Sequence, residues 1–275
     1  MSKIEVLCAT MHQTDFSLIK KMNISTDVVF ANQADKYEYS SVDFDGNHAK
    51  MITTNTIGVG VNRNIALIHA SDDTDIALIA DDDMIYNDNY VKIISEAFQK
   101  LPDADAIIFN IKTIGAQTNR RTLRKISRIH SYNCLNYGAA RLAVKLKRIK
   151  QENMFFHRSF GGGTEFSSGE DSLFIWDMIK RKFKIYAYPA TIATVDQSSS
   201  TWFKGYTKKY IFDKGALFYC LSKHYYFLLN FQCLVRHKCM YKDSGLTFIQ
   251  AFKLMINGVE YFKAGLTYKD YTNNS

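Results

Sequence analysis

The chain has 275 residues, of which 47% are hydrophobic and 23% charged, so it can bury a substantial core as one domain with an extension or as two small domains. Its five cysteines form no closely spaced pair, and their odd number argues against a disulfide framework and favours a reducing cytosol. The N-terminus lacks the apolar core of a signal peptide. The sequence contains no run of about 18 uncharged apolar residues, so we expect no membrane-spanning helix.

The formal net charge of +8 is unevenly distributed along the chain. Residues 106–151 contain 11 lysines and arginines and no acidic residue, whereas residues 202–275 contain 11 basic and 4 acidic residues. Residues 1–105 and 152–201 together carry a net negative charge, with 13 basic and 23 acidic side chains. This asymmetry favours an anionic partner such as phosphate, nucleic acid or a membrane surface.

Short apolar runs alternate with helical patterns up to residue 111. Apolar runs of this length are typical of buried strands, and the segments between them have the periodicity of helices. The predicted strands are 3–10, 27–31, 77–80 and 106–111, the predicted helices are about 16–22, 58–70 and 89–100, and a hairpin is predicted within 35–50. The alternation indicates an α/β fold with a mixed, mostly parallel sheet flanked by helices.

The pattern is less regular beyond residue 112. The expected elements are a strand at 139–144, a glycine loop at 161–163, a helix at about 168–182, and strands at 184–188 and 190–195 on either side of Pro189. From Trp202 the sequence is helical, aromatic and basic. We therefore divide the chain into a domain of residues 1–201 and a helical extension of residues 202–275.

Three consecutive aspartates follow one of the predicted strands. Asp81, Asp82 and Asp83 stand at its carboxyl end, where open α/β sheets bind ligands. Adjacent carboxylates repel one another, and a cation relieves this repulsion. Mg2+ and Mn2+ prefer oxygen ligands and commonly link carboxylates to substrate phosphates. The alternative is a solvated acidic turn that caps the next helix.

A second acidic pair opens a later helix. Glu170 and Asp171 lie in the first turn of an amphipathic pattern that follows Gly169. Acidic residues in a first turn complement the helix dipole, which is sufficient reason for their presence. The functional alternative is that one of the carboxylates takes a proton from a reacting hydroxyl, as a general base does.

In this order the motifs resemble the family 2-like glycosyltransferases of the GT-A fold, and most of all the bacterial enzymes of capsule, exopolysaccharide and O-antigen synthesis. The resemblance covers residues 3–200 and rests on the N-terminal strand, a second strand that ends at Asn32, the Arg63-Asn64 pair, the aspartate triplet, and Gly169-Glu170-Asp171 about 90 residues later. It implies transfer of a sugar from a nucleotide sugar, with a UDP-sugar expected, to a saccharide or polyprenyl-diphosphate-linked acceptor.

The resemblance also assigns roles to the acidic residues. Asp81 and Asp83 would hold Mn2+ or Mg2+ against the donor diphosphate, with Asp83 as the more direct metal ligand, and Asp82 would lie near the ribose or the sugar. Asp171 would be the catalytic base, with Glu170 as the alternate or orienting acid. A single displacement of this kind inverts the anomeric centre.

Donor-binding roles are implied for residues near the ends of the first strands and at the Arg-Asn pair. Thr10 and Met11 would contact the nucleotide, and Asn32 would read the base or only form a turn. Arg63 would contact phosphate by charge-assisted bonds, together with Asn64, or the pair would simply begin a helix.

One feature departs from the family pattern. Many relatives have a histidine 20–30 residues after the acidic pair that completes the metal site, whereas this region reads Thr194-Val-Asp196-Gln-Ser-Ser-Ser here. Either Asp196 replaces the histidine, or the metal relies on phosphate and water.

The basic extension contains a segment, 202–241, in which aromatic and basic residues interleave. Such helices can lie in an anionic bilayer interface, so we expect a cytoplasmic protein with possible peripheral contact to the inner face of the plasma membrane. The alternative is that the aromatic residues pack against the sheet or a partner subunit. No nucleic-acid-binding signature is present, and the oligomeric state stays open. The aromatic residues concerned are Trp202, Phe203, Tyr206, Tyr210, Phe212, Phe218, Tyr219, Tyr225, Tyr226 and Phe227.

Two other functions compete with sugar transfer. A sugar nucleotidyltransferase usually has a glycine-rich, basic signature directly after the first strand, which Met11-His12-Gln13 does not resemble. A non-catalytic module that binds a polyanion or a membrane would use the basic extension without any chemistry.

Overall fold

The structure is a computed structural model that describes residues 2–115, 122–196 and 205–274. The strands are β1 (Ile4–Met11), β2 (Asp27–Gln33), β3 (Glu38–Phe44), β4 (Asn47–Thr54), β5 (Ile76–Asp81), β6 (Met84–Tyr86), β7 (Ala106–Ile114), β8 (Ser127–Arg128), β9 (Leu142–Lys145) and β10 (Ile185–Asp196). The helices are α1 (Leu18–Lys21), α2 (Val59–His69), α3 (Tyr90–Lys100), α4 (Leu146–Gln151), α5 (Glu170–Lys180), α6 (Lys208–Leu221), α7 (Tyr226–Arg236), α8 (Lys238–Lys242), α9 (Phe248–Lys263) and α10 (Tyr268–Asn273).

Within these described ranges the strands form a ten-stranded sheet in the order β3-β4-β2-β1-β5-β9-β7-β10-β6, with β8 paired to β10. β1 pairs in parallel with both β2 and β5, β2 with β4, and β7 with β10. β9 runs antiparallel between β5 and β7, which therefore share one direction. The strands β4, β2, β1, β5, β7 and β10 consequently all point the same way, which confirms the predicted mixed, mostly parallel sheet.

Helices cover both faces of the sheet, and the largely apolar strand β1 packs against both helical layers. Leu7 packs in one core with residues of α2 and α5, whereas Val6 and Cys8 pack in a second core with residues of α1 and α3. Successive side chains of a strand point to opposite faces, so a strand that is buried on both faces is mostly apolar, as β1 is apart from Glu5 and Thr10. The carboxyl ends of the parallel strands are left to form the site.

Two local predictions can be compared with the backbone directly. The predicted hairpin is present: Asp45 and Gly46 join β3 to β4 with φ values of 46° and 78°, and positive φ at both positions is what a type I′ turn requires. The strands predicted on either side of Pro189 form the single strand β10, whose register shifts between Ala187 and Thr191. Proline has no N–H to donate to the neighbouring strand, so the ladder is interrupted there without ending the strand.

The C-terminal helices share a core with the segment that leads into α5. Phe160, Phe166 and Leu173 pack in one apolar cluster with residues of α6 and α9, such as Phe212 and Met255. The predicted boundary at residues 201 and 202 lies outside the described residues and stays a prediction. None of the helices in the described ranges combines the length and apolar character needed to cross a bilayer.

A buried carboxylate ties α6 to the same segment. Asp213 Oδ2 accepts hydrogen bonds from the Ser167 backbone N–H (3.1 Å), the Ser167 hydroxyl (2.6 Å) and Lys209 Nζ (2.6 Å). Leu217, one turn further along α6, packs against Gly169, the residue that precedes α5. The extension therefore holds the start of α5 in place.

Helices α6 and α9 cross at two glycines. A Cβ atom on Gly215 would collide with the carbonyl oxygen of Met255, and one on Gly258 would collide with the carbonyl oxygen of Phe212. Only residues without a side chain allow the two backbones to approach this closely.

Gly215→Ala is accordingly expected to lower the free energy of unfolding by about 1–3 kcal/mol, because the two helices must separate to admit the methyl group. In an open helix the same change usually raises stability by about 0.5–1 kcal/mol, so the sign alone separates close packing from helix propensity. Chemical denaturation of the full chain measures the difference. A stabilised variant would contradict the close crossing.

Candidate active site

The ends of the two central parallel strands bring the first predicted residues together. Ala9 of β1 lies opposite Asp81 of β5, so the residues that follow each of them are neighbours. The Thr10 hydroxyl donates to Asp82 Oδ2 at 2.6 Å. Thr10 is buried, Met11 is exposed, and the side chain of Asp81 is partly exposed. The aspartate triplet therefore lies at the carboxyl end of the central strand β5, where a ligand can reach it.

Arg63 joins the triplet to the second acidic pair. Its Nη2 donates to Asp81 Oδ1 (2.8 Å), and its Nη1 donates to Asp171 Oδ1 (2.6 Å) and Glu170 Oε1 (3.3 Å). The side chain is only 3% exposed, and its Cζ lies 5.3 Å from the centre of the Phe156 ring. One buried guanidinium thus places all three carboxylates around itself.

This geometry changes the interpretation of Arg63. The resemblance assigns it a phosphate contact, but both terminal nitrogens donate to carboxylates of the protein. Burial alone lowers the pKa of Arg63, yet the charges of Asp81, Asp171 and Glu170 together raise it above its ordinary value. The guanidinium therefore stays charged and organises the acidic residues, and its contact with phosphate stays a prediction.

The two members of the acidic pair differ in environment. The side chain of Glu170 is 13% exposed and that of Asp171 is 27% exposed. Burial, followed by the charge of Asp171, raises the pKa of Glu170 to about 7, although Arg63 opposes the shift. Asp171 is the more accessible carboxylate, whereas Glu170 exchanges its proton near neutral pH.

The raised pKa of Glu170 makes stability depend on pH. The native state binds more protons than the unfolded chain between the ordinary value of 4.5 and about 7, so the free energy of unfolding falls as pH rises through this interval. The full effect is about 3 kcal/mol. Glu170→Gln removes the titration, and it should therefore stabilise the protein at pH 8 relative to its effect at pH 4.5.

Denaturant titrations of both proteins across this pH range measure the difference. Glu165→Gln is the matched control, because Glu165 is an exposed glutamate of the same loop and its replacement should leave the profile unchanged. Parallel profiles for the wild type and Glu170→Gln would contradict the shifted titration.

Glycines border both carboxylates of the pair. Gly161 has a φ of +110°, and a Cβ on it would lie 2.8 Å from Glu170 Oε2. The Gly169 backbone N–H donates to the same oxygen at 3.1 Å. A Cβ on Gly138 would lie 3.0 Å from Asp171 Oδ2. The loop 161–163 therefore covers Glu170, and the absence of a side chain at residue 138 keeps space beside Asp171.

The two asparagines assigned to the donor are buried and contact the protein backbone. Asn64 donates from Nδ2 to the Phe156 carbonyl (2.9 Å) and accepts at Oδ1 from the Phe156 N–H (2.7 Å). Asn32 makes the same kind of paired contact with Gln13, at 3.0 Å in both directions. Both side chains hold loops that border the site, and their direct contact with a donor stays a prediction.

Sequence reasoning did not single out Asn62 or Phe156. Asn62 Nδ2 donates to the Thr10 carbonyl at 3.0 Å, and its Oδ1 is buried with no hydrogen-bond partner within the described residues. Phe156 supplies the ring beneath Arg63. The sequence does contain a signal for Asn62, because Asn62 to Asn64 are three consecutive polar residues between apolar ones in α2. The sequence contains no comparable signal for Phe156.

The carboxylates at the ends of β5 and β10 offer the oxygen ligands that a hard divalent cation prefers, but only a few of them. Met84, the residue after Asp83, pairs with Val195, so Asp196 at the end of β10 lies next to the triplet. Over residues 2–115, 122–196 and 205–274 no group of three or more His, Cys, Asp or Glu side chains is arranged to hold a metal. Carboxylate oxygens from two strand ends fit Mg2+ or Mn2+, which commonly complete their shell with phosphate and water.

The mixed, mostly parallel sheet with helices on both faces has the GT-A fold, in agreement with the solved structures that it resembles. The chain is similar to S. aureus TarS in complex with UDP-GlcNAc, with a TM-score of 0.62 and 14% sequence identity. The match covers 93% of this chain and 79% of the TarS chain. TarS in complex with UDP matches 96% and 83%, with a TM-score of 0.61 and 14% identity. Another S. aureus TarS structure matches 86% and 43%, with a TM-score of 0.55 and 14% identity. No protein-family model and no curated protein matches the sequence.

Proposed function

We propose that the protein is a glycosyltransferase that moves a sugar from a UDP-sugar to a saccharide or polyprenyl-diphosphate-linked acceptor, with inversion at the anomeric carbon. The observation that carries this proposal is the Arg63 cluster, in which one guanidinium pairs with both Asp81 and Asp171. In this proposal Asp81 belongs to the donor side of the site and Asp171 to the acceptor side. The fold supports it, since TarS, with the same fold, was crystallised with UDP and with UDP-GlcNAc.

In this proposal Asp171 removes the proton of the acceptor hydroxyl. Its Oδ1 is oriented by Arg63, and its Oδ2 faces the side-chain-free position at Gly138. A fixed carboxylate with space beside one oxygen meets the geometric need of a general base. Glu170 partly neutralises the charge of Arg63 and helps to orient Arg63 and Asp171.

Asp83 and Asp81, with Asp196 beside them, would hold Mn2+ or Mg2+ at the donor diphosphate, and Asp82 would lie near the ribose or the sugar. When bound, the ion supplies Lewis-acid stabilisation of the negative charge that develops on the leaving diphosphate. Within the chain itself, the Thr10 hydroxyl fixes the rotamer of Asp82 by its 2.6 Å hydrogen bond.

The nucleotide would lie across the ends of β1 and β2. Thr10 and Met11 end β1, and Asn32 lies one residue before the end of β2 and fixes the loop after β1 through Gln13. Ligands of open α/β sheets bind at such carboxyl ends. Met11 is the exposed member of this group and therefore the one best placed to touch a base or ribose.

To test the proposal, nucleotide sugars are screened by thermal shift in the presence of Mn2+. The release of UDP is then measured from the nucleotide sugar that stabilises the protein. A ligand that binds only the native state stabilises it against unfolding, so the melting temperature rises with the logarithm of the ligand concentration once that exceeds Kd. We expect one UDP-sugar to stabilise the chain, and we expect EDTA and Asp83→Ala to abolish both the shift and the UDP release. Asp72→Ala is the matched control, because Asp72 is an exposed aspartate near the opposite end of β5.

The alternatives give different results in the same assays. Release of pyrophosphate from UTP and a sugar phosphate, without release of UDP, would identify a sugar nucleotidyltransferase. The absence of any response to nucleotides would identify a non-catalytic module.

A further inference from the structure

We infer that the exposed face of α7, together with the first turn of α9, docks the protein on an anionic lipid bilayer. We call this surface the α7 face and define it by its exposed apolar side chains, Phe227, Leu228, Phe231, Val235 and Ile249. The inference goes beyond sugar transfer and does not depend on it.

The α7 face is continuous across two helices. Phe227 lies 4.9 Å from Phe252, and Phe231 lies 5.5 Å from Phe248, measured between ring centres. Beside these contacts, Leu228 is 61% exposed and Ile249 is 78% exposed. Large apolar side chains that cluster at the surface mark a binding site for a partner or a membrane.

The charges around the α7 face select the partner. Residues 222–242 contain four basic residues and no acidic one. Lys223 precedes α7, Arg236 lies in its last turn, and Lys238 begins the next helix, α8. An amphipathic helix with apolar residues on one face and cations at its ends fits the boundary between acyl chains and anionic headgroups.

A second copy of this chain fits the same face poorly. Both ends of α7 are basic, so two copies packed in parallel or antiparallel would bring cations together. Like charges at an interface oppose association, whereas the phosphates of an anionic bilayer neutralise both helix ends.

The α7 face is smaller than the segment predicted from sequence. Of the aromatic residues in 202–241, Phe212 and Phe218 are buried in the core of the extension, and Tyr206 and Tyr210 are partly buried against it. Trp202 and Phe203 lie outside the described residues. Most of the aromatic residues that the structure describes in this segment therefore pack inward, and α7 presents the exposed apolar surface.

The test is sedimentation of the full chain with phosphatidylcholine vesicles, with and without phosphatidylglycerol. We expect binding only to the vesicles that contain phosphatidylglycerol, and weaker binding as salt rises. Leu228→Asp should reduce partitioning about tenfold or more, and so should the combined change Lys223→Glu, Arg236→Glu and Lys238→Glu. Ile68→Asp is the matched control, because Ile68 is equally exposed on α2, outside the α7 face, and should bind like the wild type.

Melting curves of each variant check that it is folded, so a loss of binding is assigned to the surface. Failure of the wild type to sediment with anionic vesicles would overturn the inference, as would equal binding by Leu228→Asp. A dimer in light scattering that Leu228→Asp abolishes, without any vesicle binding, would assign the face to a second copy and overturn it too. The release of UDP from a UDP-sugar does not require a lipid, so failure here leaves the proposed function intact.

Discussion

Asp171→Asn is expected to lower kcat for sugar transfer by about 10²- to 10⁴-fold with little change in the KM for the donor, because a general base contributes a factor of this size. Asparagine cannot take the proton of the acceptor hydroxyl. Its side-chain oxygen can still accept from Arg63, so the 2.6 Å contact and the fold are expected to survive. The variant therefore separates chemistry from structure. Steady-state release of UDP with a saccharide acceptor measures it.

Asp177→Asn is the control for this experiment, because Asp177 lies on the same helix and is half exposed. It should retain wild-type turnover. If Asp171→Asn keeps its turnover while Glu170→Gln loses it, the base is Glu170, whose pKa of about 7 also suits proton transfer near neutral pH. Retained turnover in both variants would remove the acidic pair from the mechanism.

Arg63→Met is expected to lower the free energy of unfolding by about 3–5 kcal/mol, the usual cost of removing one partner from a buried ionic cluster. Asp81, Glu170 and Asp171 would then face one another without the cation that now lies between them. Arg63 also opposes the rise in the pKa of Glu170, so its loss raises that pKa further above 7. In the folded variant Glu170 therefore keeps its proton to higher pH. The loss of stability should be largest above neutral pH and smaller near pH 5.

Arg148→Met is the matched control, because Arg148 also has both a carboxylate partner, Glu152 at 2.9 Å, and a phenylalanine ring, Phe183 at 5.1 Å, but its side chain is 34% exposed to solvent. Exposed ion pairs contribute about 0–1 kcal/mol, so this variant should lose little stability. Arg63→Lys, which keeps the charge without the forked geometry, should lie between the two. Equal stability of Arg63→Met and Arg148→Met would contradict the central role of Arg63.

The features that could be predicted from sequence are those set by neighbouring residues. The apolar runs predicted the central strands, because burial on both faces needs apolar side chains at successive positions. The polar stretch 35–50 predicted a hairpin, and the structure places its turn at Asp45 and Gly46, which both have positive φ. The aspartate triplet was predicted at a strand end, because its place after an apolar run requires only local structure.

The sequence by itself therefore determined the α/β class, most of the strands and helices, and the two groups of acidic residues. The tertiary structure decided how these groups meet. Arg63 is separated from Asp81 by 18 positions and from Glu170 and Asp171 by 107 and 108. Contacts over such separations depend on the order of the strands and on the packing of α2 and α5, which no local pattern encodes. For the same reason only the fold showed which aromatic residues of the extension are buried and which form the α7 face.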